Sequence, residues 1–213
     1  RPTPEAGWLV TGGEDSEGKR RWRRPDVKAP DGGGRLTTGK QKVHKKKLGK
    51  SSREWVDRQL NDPYVRRAKE QGYRARAAFK LSEIDDRFRL LKKGARVVDL
   101  GCAPGGWLQV ALERGAGSVI GIDLSPVDPL APAEIIEGDF TDPAVLADLA
   151  ARLDQAPDLV LSDMAAPTTG HKQTDHLRTL ALAEAAARFA IAHLAPGGTF
   201  VSKVFQGGAQ GEL

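Results

Sequence analysis

The sequence predicts an α/β fold, a doubly wound, Rossmann-like parallel sheet covered by helices on both faces. Three observations carry that prediction. From Lys92-Lys93-Gly94 onward, short apolar runs alternate with longer amphipathic ones, the pattern of βαβ units. Those short runs are apolar at nearly every position, as strands buried on both faces require. The segment Val97-Val98-Asp99-Leu100-Gly101-Cys102-Ala103-Pro104-Gly105-Gly106-Trp107 reads as a buried strand, a glycine-rich turn and a helix. Such folds build ligand sites in that way at the C-terminal ends of their strands. Right-handed crossovers give the strand order 3-2-1-4-5.

Each element has its own signal. Residues 1–50 hold nine Gly and four Pro, and their large apolar residues, from Trp8 to Leu48, show no sustained period. Too little surface can be buried there to offset ordering entropy, so the stretch is read as a disordered extension. Order is expected from Ser51, where Ser51-Ser52-Arg53-Glu54 has the form of a capping box. Asp62-Pro63 starts a second helix that Gly72 ends. A third helix is expected from about Arg74 to Phe88, with Ala77, Leu81, Ile84 and Phe88 as its apolar stripe. Lys80 falls roughly 70° from the centre of that stripe, on its flank.

Strands are then expected at Arg96–Leu100, Ser118–Leu124, Ala133–Glu137, Asp158–Asp163 and Thr199–Phe205. Helices are expected at Gly106–Arg114, Pro143–Leu153, capped by Asp142, and Asp175–Leu194, stopped by Pro196-Gly197-Gly198. The chain thus divides into a basic extension (1–50), a helical N-terminal part (51–94) and a sheet-bearing core (95–213).

Charge separates the halves. Residues 1–96 carry 27 Lys and Arg against 13 Asp and Glu, a balance of +14, while residues 97–213 carry 6 against 15, a balance of −9. A basic front joined to an acidic core points to a polyanionic partner, and the block holding Lys42, Lys45, Lys46 and Lys47 favours nucleic acid over a merely solubilising tail. Cys102 is the single cysteine, which excludes an intrachain disulfide and fits a reducing compartment. In a glycine turn it is read as a small packed residue rather than a nucleophile. His44, His171, His176 and His193 form no zinc-ligand spacing, so no metal is expected. No apolar run approaches the roughly 20 residues of a membrane span, and the N-terminus has no signal-peptide core. The chain begins at Arg1 rather than Met, as a fragment or processed product would.

Four aspartates, Asp99, Asp123, Asp139 and Asp163, fall near or at the ends of four successive strands, which converge on one crevice. Asp123 suits the hydroxyls of a ribose. Asp139 suits an adenine amino group, with Phe140 beside the ring. Each alone reads equally well as a cap or a loop charge. The polar stretch from Thr168 to Thr174 lies over the crevice as a candidate substrate loop. Lys203 sits inside the apolar strand Phe200-Val201-Ser202-Lys203-Val204-Phe205. One reading is an edge strand whose lysine faces water and discourages aggregation. The favoured reading is a catalytic lysine in the crevice that holds Asp163.

The glycine turn lacks the dinucleotide fingerprint, because Ala103 stands at its second glycine position, and this disfavours an NAD-dependent oxidoreductase. It matches the Asp-x-Gly-x-x-x-Gly pattern of S-adenosylmethionine-dependent methyltransferases. From about Ser51 to Gly208 the chain resembles the FtsJ/RrmJ (RlmE) family of ribose 2′-O-methyltransferases, which modify a uridine in large-subunit ribosomal RNA. The resemblance rests on Asn61-Asp62-Pro63-Tyr64-Val65, Arg76-Ala77-Ala78-Phe79-Lys80-Leu81 and Asp99 to Trp107. It continues in Gly138-Asp139-Phe140, Ser162-Asp163-Met164-Ala165 and Lys203-Val204-Phe205-Gln206-Gly207.

The resemblance implies S-adenosylmethionine as methyl donor, held at Gly105, Trp107, Asp123, Asp139 and Asp163. It implies Lys80, Asp163 and Lys203 as the first three members of a Lys-Asp-Lys-Glu catalytic group, with Lys203 as proton acceptor. The fourth member, a glutamate, and two further strands lie in a later segment of the family fold, and this chain stops at Gly211-Glu212-Leu213. The implied partner is large-subunit ribosomal RNA, free or in the assembled subunit, with the protein a cytoplasmic monomer. The alternatives are the same chemistry on a transfer RNA and a non-catalytic RNA-binding factor of ribosome assembly.

Overall fold

The computed structural model describes residues 6–11 and 62–205, Thr168 excepted. The capping box at Ser51 and the lysine block at 42–47 lie outside the described residues.

Helix α1 spans Pro63–Glu70. The Asp62 carboxylate accepts the Tyr64 N–H at 2.8 Å, and proline occupies the first turn, where its missing N–H costs nothing. Helix α2 spans Ala77–Phe88 and starts three residues later than the sequence predicts. Arg74 is drawn away from it: its backbone N–H goes to the Gln109 side chain, and its guanidinium to backbone carbonyls of the glycine turn and of the segment around Pro129. The buried face of α2 is also rotated. Ala78, Phe79, Leu81, Ile84 and Asp85 are buried, whereas Phe88, expected in the stripe, is 40% exposed. Asp85 is accommodated because its carboxylate accepts the Leu91 N–H at 2.7 Å and faces Arg114. Phe79 joins the two helices, lying edge-on to Tyr73 with the Arg67 guanidinium over its ring.

The sheet-forming part alternates as expected: β2 (Arg96–Leu100), α3 (Gly106–Glu113), β3 (Ser118–Asp123), β4 (Glu134–Glu137), α4 (Pro143–Ala151), β5 (Leu159–Ser162), α5 (Lys172–His193) and β6 (Thr199–Phe205). The parallel strands run β4-β3-β2-β5-β6, the 3-2-1-4-5 order. A further strand, β1 (Ala6–Thr11), lies inside the segment read from sequence as lacking regular structure. It pairs antiparallel with β6, in register from Ala6 opposite Phe205 to Thr11 opposite Phe200. That pairing draws its register from a partner strand nearly 200 residues away, which no local periodicity encodes. It also places β6 inside the sheet, so the edge-strand reading of Lys203 does not hold.

Helix α5 begins three residues before Asp175. The Asp175 carboxylate does not cap the helix start in the usual sense. It reaches back to the N–H groups of Thr169 and Gly170 and to the Thr169 hydroxyl.

Alternate residues of each strand supply two cores. On one face, α2 and α3 cover Val97, Val119, Leu159, Leu161 and Val201. On the other, α4 and α5 cover Val98, Leu100, Ile120, Ile122, Val160 and Phe200. Each fully buried leucine or valine here contributes about 1.5–3 kcal/mol. The sheet is therefore a rigid platform that fixes where its C-terminal ends stand.

Candidate active site

The glycine turn after β2 is built by backbone demands. Gly101 has φ of +81°, and a Cβ there would come within 2.7 Å of the Met164 side chain and 3.1 Å of its backbone. Gly105, at φ of +105°, caps α3, and a Cβ there would meet the Arg74 guanidinium at 2.8 Å. Both positions combine a left-handed backbone with close approach, and glycine satisfies both. Arg74 binds the turn to the segment after β3 by donating to the carbonyls of Pro104 (3.4 Å), Asp128 (2.6 Å) and Pro129 (2.9 Å). Sequence reasoning missed Arg74, because nothing local marks an arginine whose partners lie 30 and 55 residues away.

Asp123 stands at the end of β3, half-buried. One carboxylate oxygen accepts the Ala103 N–H at 2.9 Å and the other the Ser125 N–H at 2.8 Å. Each oxygen retains a second lone pair, which suits a pair of ribose hydroxyls. Its carbonyl accepts the Gly138 N–H at 2.9 Å, which ties the end of β4 beside it. Asp139 follows and is exposed. Hydrogen bonds from the Thr141 hydroxyl and N–H hold its carboxyl below the ordinary range, so it is a firm anion. Phe140 departs from expectation. It is 5% exposed and packs edge-on against Phe189 at 5.8 Å in the core beneath, so its ring does not flank a ligand.

Trp107 is 3% exposed, and its indole donates to the Ala77 carbonyl at 2.8 Å. Its side chain therefore pins α2 to α3 and lies in the core. Ala77 begins α2, and Lys80, half-buried, lies one turn further along. The Trp107–Ala77 bond thus couples the glycine turn to the helix that carries Lys80.

Asp163 and Lys203 meet directly. Lys203 Nζ donates to the Asp163 carbonyl at 2.7 Å and also to its Oδ1. Only 12% of the lysine side chain and 21% of the aspartate side chain are exposed. The adjacent parallel strands β5 and β6 make this contact, bringing together residues 40 apart in the chain.

Burial raises the pKa of two groups beneath the turn. Burial, and then Asp99 and Asp123, push the Cys102 thiol far above its ordinary range, so Cys102 is a packed residue with no thiolate to offer. Asp99 is 1% exposed, and neither of its carboxyl oxygens has a hydrogen-bond partner. Burial, then Asp163 and Asp123, raise its carboxyl well above the ordinary range. Among the described residues, no group of three or more His, Cys, Asp and Glu side chains is placed to hold a metal ion, and no helix is long and apolar enough to cross a membrane.

A glycine turn at the mid-sheet strand, acidic residues at the neighbouring strand ends and a buried orphan carboxyl together suit a cationic nucleoside. On this fold, that combination fits an S-adenosylmethionine-dependent methyltransferase. The comparisons agree. Residues 73–213 match the FtsJ-like methyltransferase family, and the chain belongs to it. S-adenosylmethionine is its methyl donor.

The chain is 58% identical over 191 residues to the ribosomal RNA large subunit methyltransferase E of Hyphomonas neptunium, covering 90% of this chain and 81% of that one. It is 63% identical over 163 residues to the protein of that name from Acidiphilium cryptum, covering 76% and 72%. Among solved structures, a ribosomal RNA methyltransferase from Plasmodium falciparum superposes with a TM-score of 0.62 at 36% identity, covering 65% of this chain and 82% of that one.

Proposed function

We propose that this protein transfers a methyl group to the 2′-oxygen of a uridine ribose in large-subunit ribosomal RNA. The observation that carries the reading is the half-buried Lys203–Asp163 pair at the strand ends, in a chain whose relatives are named ribosomal RNA large subunit methyltransferase E. S-adenosylmethionine supplies an electrophilic methyl group next to the glycine turn. The residues hold it by charge and shape: Gly105 and the backbone at Trp107 along the turn, Asp123 on the ribose, Asp139 at the base, and Asp163 towards the methionine end.

A ribose hydroxyl is a weak nucleophile and must lose its proton as it attacks. Lys203 is the acceptor. A neutral amine has two N–H bonds and one lone pair. The structure gives Lys203 two acceptors, the carbonyl and the carboxylate of Asp163. When the amine gives up a proton, its two remaining N–H groups can stay on those acceptors and the lone pair is left for the hydroxyl proton. Asp163 is thereby the orienting partner, and Lys80 holds the hydroxyl from α2. The remaining rate enhancement is alignment of oxygen, methyl carbon and sulfur. The basic residues of the first 96 supply phosphate contacts along a large RNA, free or within the assembled subunit. The protein acts as a cytoplasmic monomer.

Lys203→Arg tests the role of the acceptor. Arginine keeps its proton at any working pH, so this variant should lose methyl transfer while binding the donor normally by calorimetry. Turnover within about threefold of the parent would leave Lys203 a fixed positive charge and end its role as base.

A further inference from the structure

Asp99 takes no part in that reaction, and both of its carboxyl oxygens are buried without a hydrogen-bond partner. It is the fourth residue of β2, two positions before the glycine turn. Its neighbours across the sheet are Gly121 on β3 and Leu161 on β5. Cys102 and Leu108 close over Gly121, approaching to 2.8 and 3.0 Å of where its Cβ would stand. The carboxyl is buried, with both oxygens unpartnered. The groups that act on it electrically are Asp163 at the end of β5 and Asp123 at the end of β3, while the Cys102 thiol beside it is neutral. Lys203, the cation on β6, is bound by Asp163. A bare carboxylate in such a place is strongly disfavoured until a cation joins it.

The methyl donor carries that cation. S-adenosylmethionine has a sulfonium and an ammonium against one carboxylate, a net positive charge. Its product, S-adenosylhomocysteine, has lost the sulfonium and is neutral overall.

We propose that Asp99 holds a proton in the free chain and releases it when S-adenosylmethionine docks, placing a negative charge under the glycine turn that favours the cationic donor over its neutral product. The carboxylic O–H bond breaks, its electron pair stays on the oxygen, and the proton leaves to solvent. Product release follows the same logic in reverse. Once the sulfonium is gone, the anion under the turn loses its partner and takes up a proton again. The inference rests on the chain binding S-adenosylmethionine and is independent of which RNA it methylates.

Calorimetric titration of the whole chain tests this, in buffers of differing ionisation enthalpy near pH 6.5, where a free α-amino group of ordinary pKa stays protonated. S-adenosylmethionine should release a substantial fraction of one proton per site, and S-adenosylhomocysteine markedly less. Asp99→Asn should abolish the release and weaken S-adenosylmethionine about tenfold or more, while leaving S-adenosylhomocysteine within about threefold. No release by the parent chain, equal release with both ligands, or unchanged release in Asp99→Asn would each overturn the proposal. The comparison of the two ligands on the parent chain decides the matter even if the variant does not fold. Failure of the parent chain to bind either ligand would refute the donor assignment itself.

Discussion

Asp123→Ala should separate donor binding from fold. In the structure the carboxylate anchors the glycine turn through the Ala103 N–H at 2.9 Å and the next loop through the Ser125 N–H at 2.8 Å. Its proposed second job is to accept from a ribose. A hydrogen bond to a charged group is worth about 1.5–3 kcal/mol, so losing one to the ribose weakens binding by roughly 10- to 150-fold. A second lost bond adds less than its full value, because the two share one carboxylate. The dissociation constant for S-adenosylmethionine should therefore rise at least about tenfold. The structural cost is smaller. Asp123 is only half-buried, and the released N–H groups can turn to water, which limits the loss to about 1–2 kcal/mol. For a chain of this size, each kcal/mol is worth about 2–4 °C in Tm. Calorimetry gives the affinity and thermal unfolding the stability. Asp123→Asn, which keeps one acceptor oxygen, should fall between parent and alanine. Parent-like donor affinity in a folded Asp123→Ala chain would remove Asp123 from the site and refute the reasoning.

Gly101→Ala should destabilise the fold by about 2 kcal/mol or more, since a left-handed backbone alone costs about 1–2 and the new Cβ meets Met164 backbone as well as side chain; chemical denaturation reads this, and an unchanged midpoint would contradict it. Arg96 beside Asp158 holds that carboxyl down at about 2, so the pair contributes stability above the ordinary aspartate range and loses it as the pH falls towards 2. Both partners are partly exposed, so Asp158→Asn should cost below about 1 kcal/mol at neutral pH and flatten the acid side of a Tm-against-pH curve; a steeper acid loss in the variant would be the wrong sign.

Signals contained within about ten residues were legible in the sequence. The apolar strand, glycine turn and helix from Val97 to Trp107 declare themselves, as do the caps Asp62-Pro63 and Asp142-Pro143. Each depends on the backbone preference or side-chain reach of neighbours in the chain. The alternation of those signals, with right-handed crossovers, determined the parallel order, and the order determined that Asp99, Asp123, Asp139 and Asp163 end near one crevice.

Only the tertiary structure decided what each of those groups does there. Lys203 reads from sequence as either an edge residue or a crevice residue, and the choice depended on β5 and β6 lying side by side, with β1 covering the far edge. Phe140 looked available to a ligand until packing against Phe189 took it into the core. Trp107 was marked by its place in the turn, yet its indole is spent on Ala77. Asp99 was visible as one more strand-end aspartate, and its isolation was not, because burial is a property of what closes over a residue. Hydrogen-bond partners 20 to 60 positions apart and the loss of water around a carboxyl are set by packing, whereas local sequence sets only the conformations that packing has to work with.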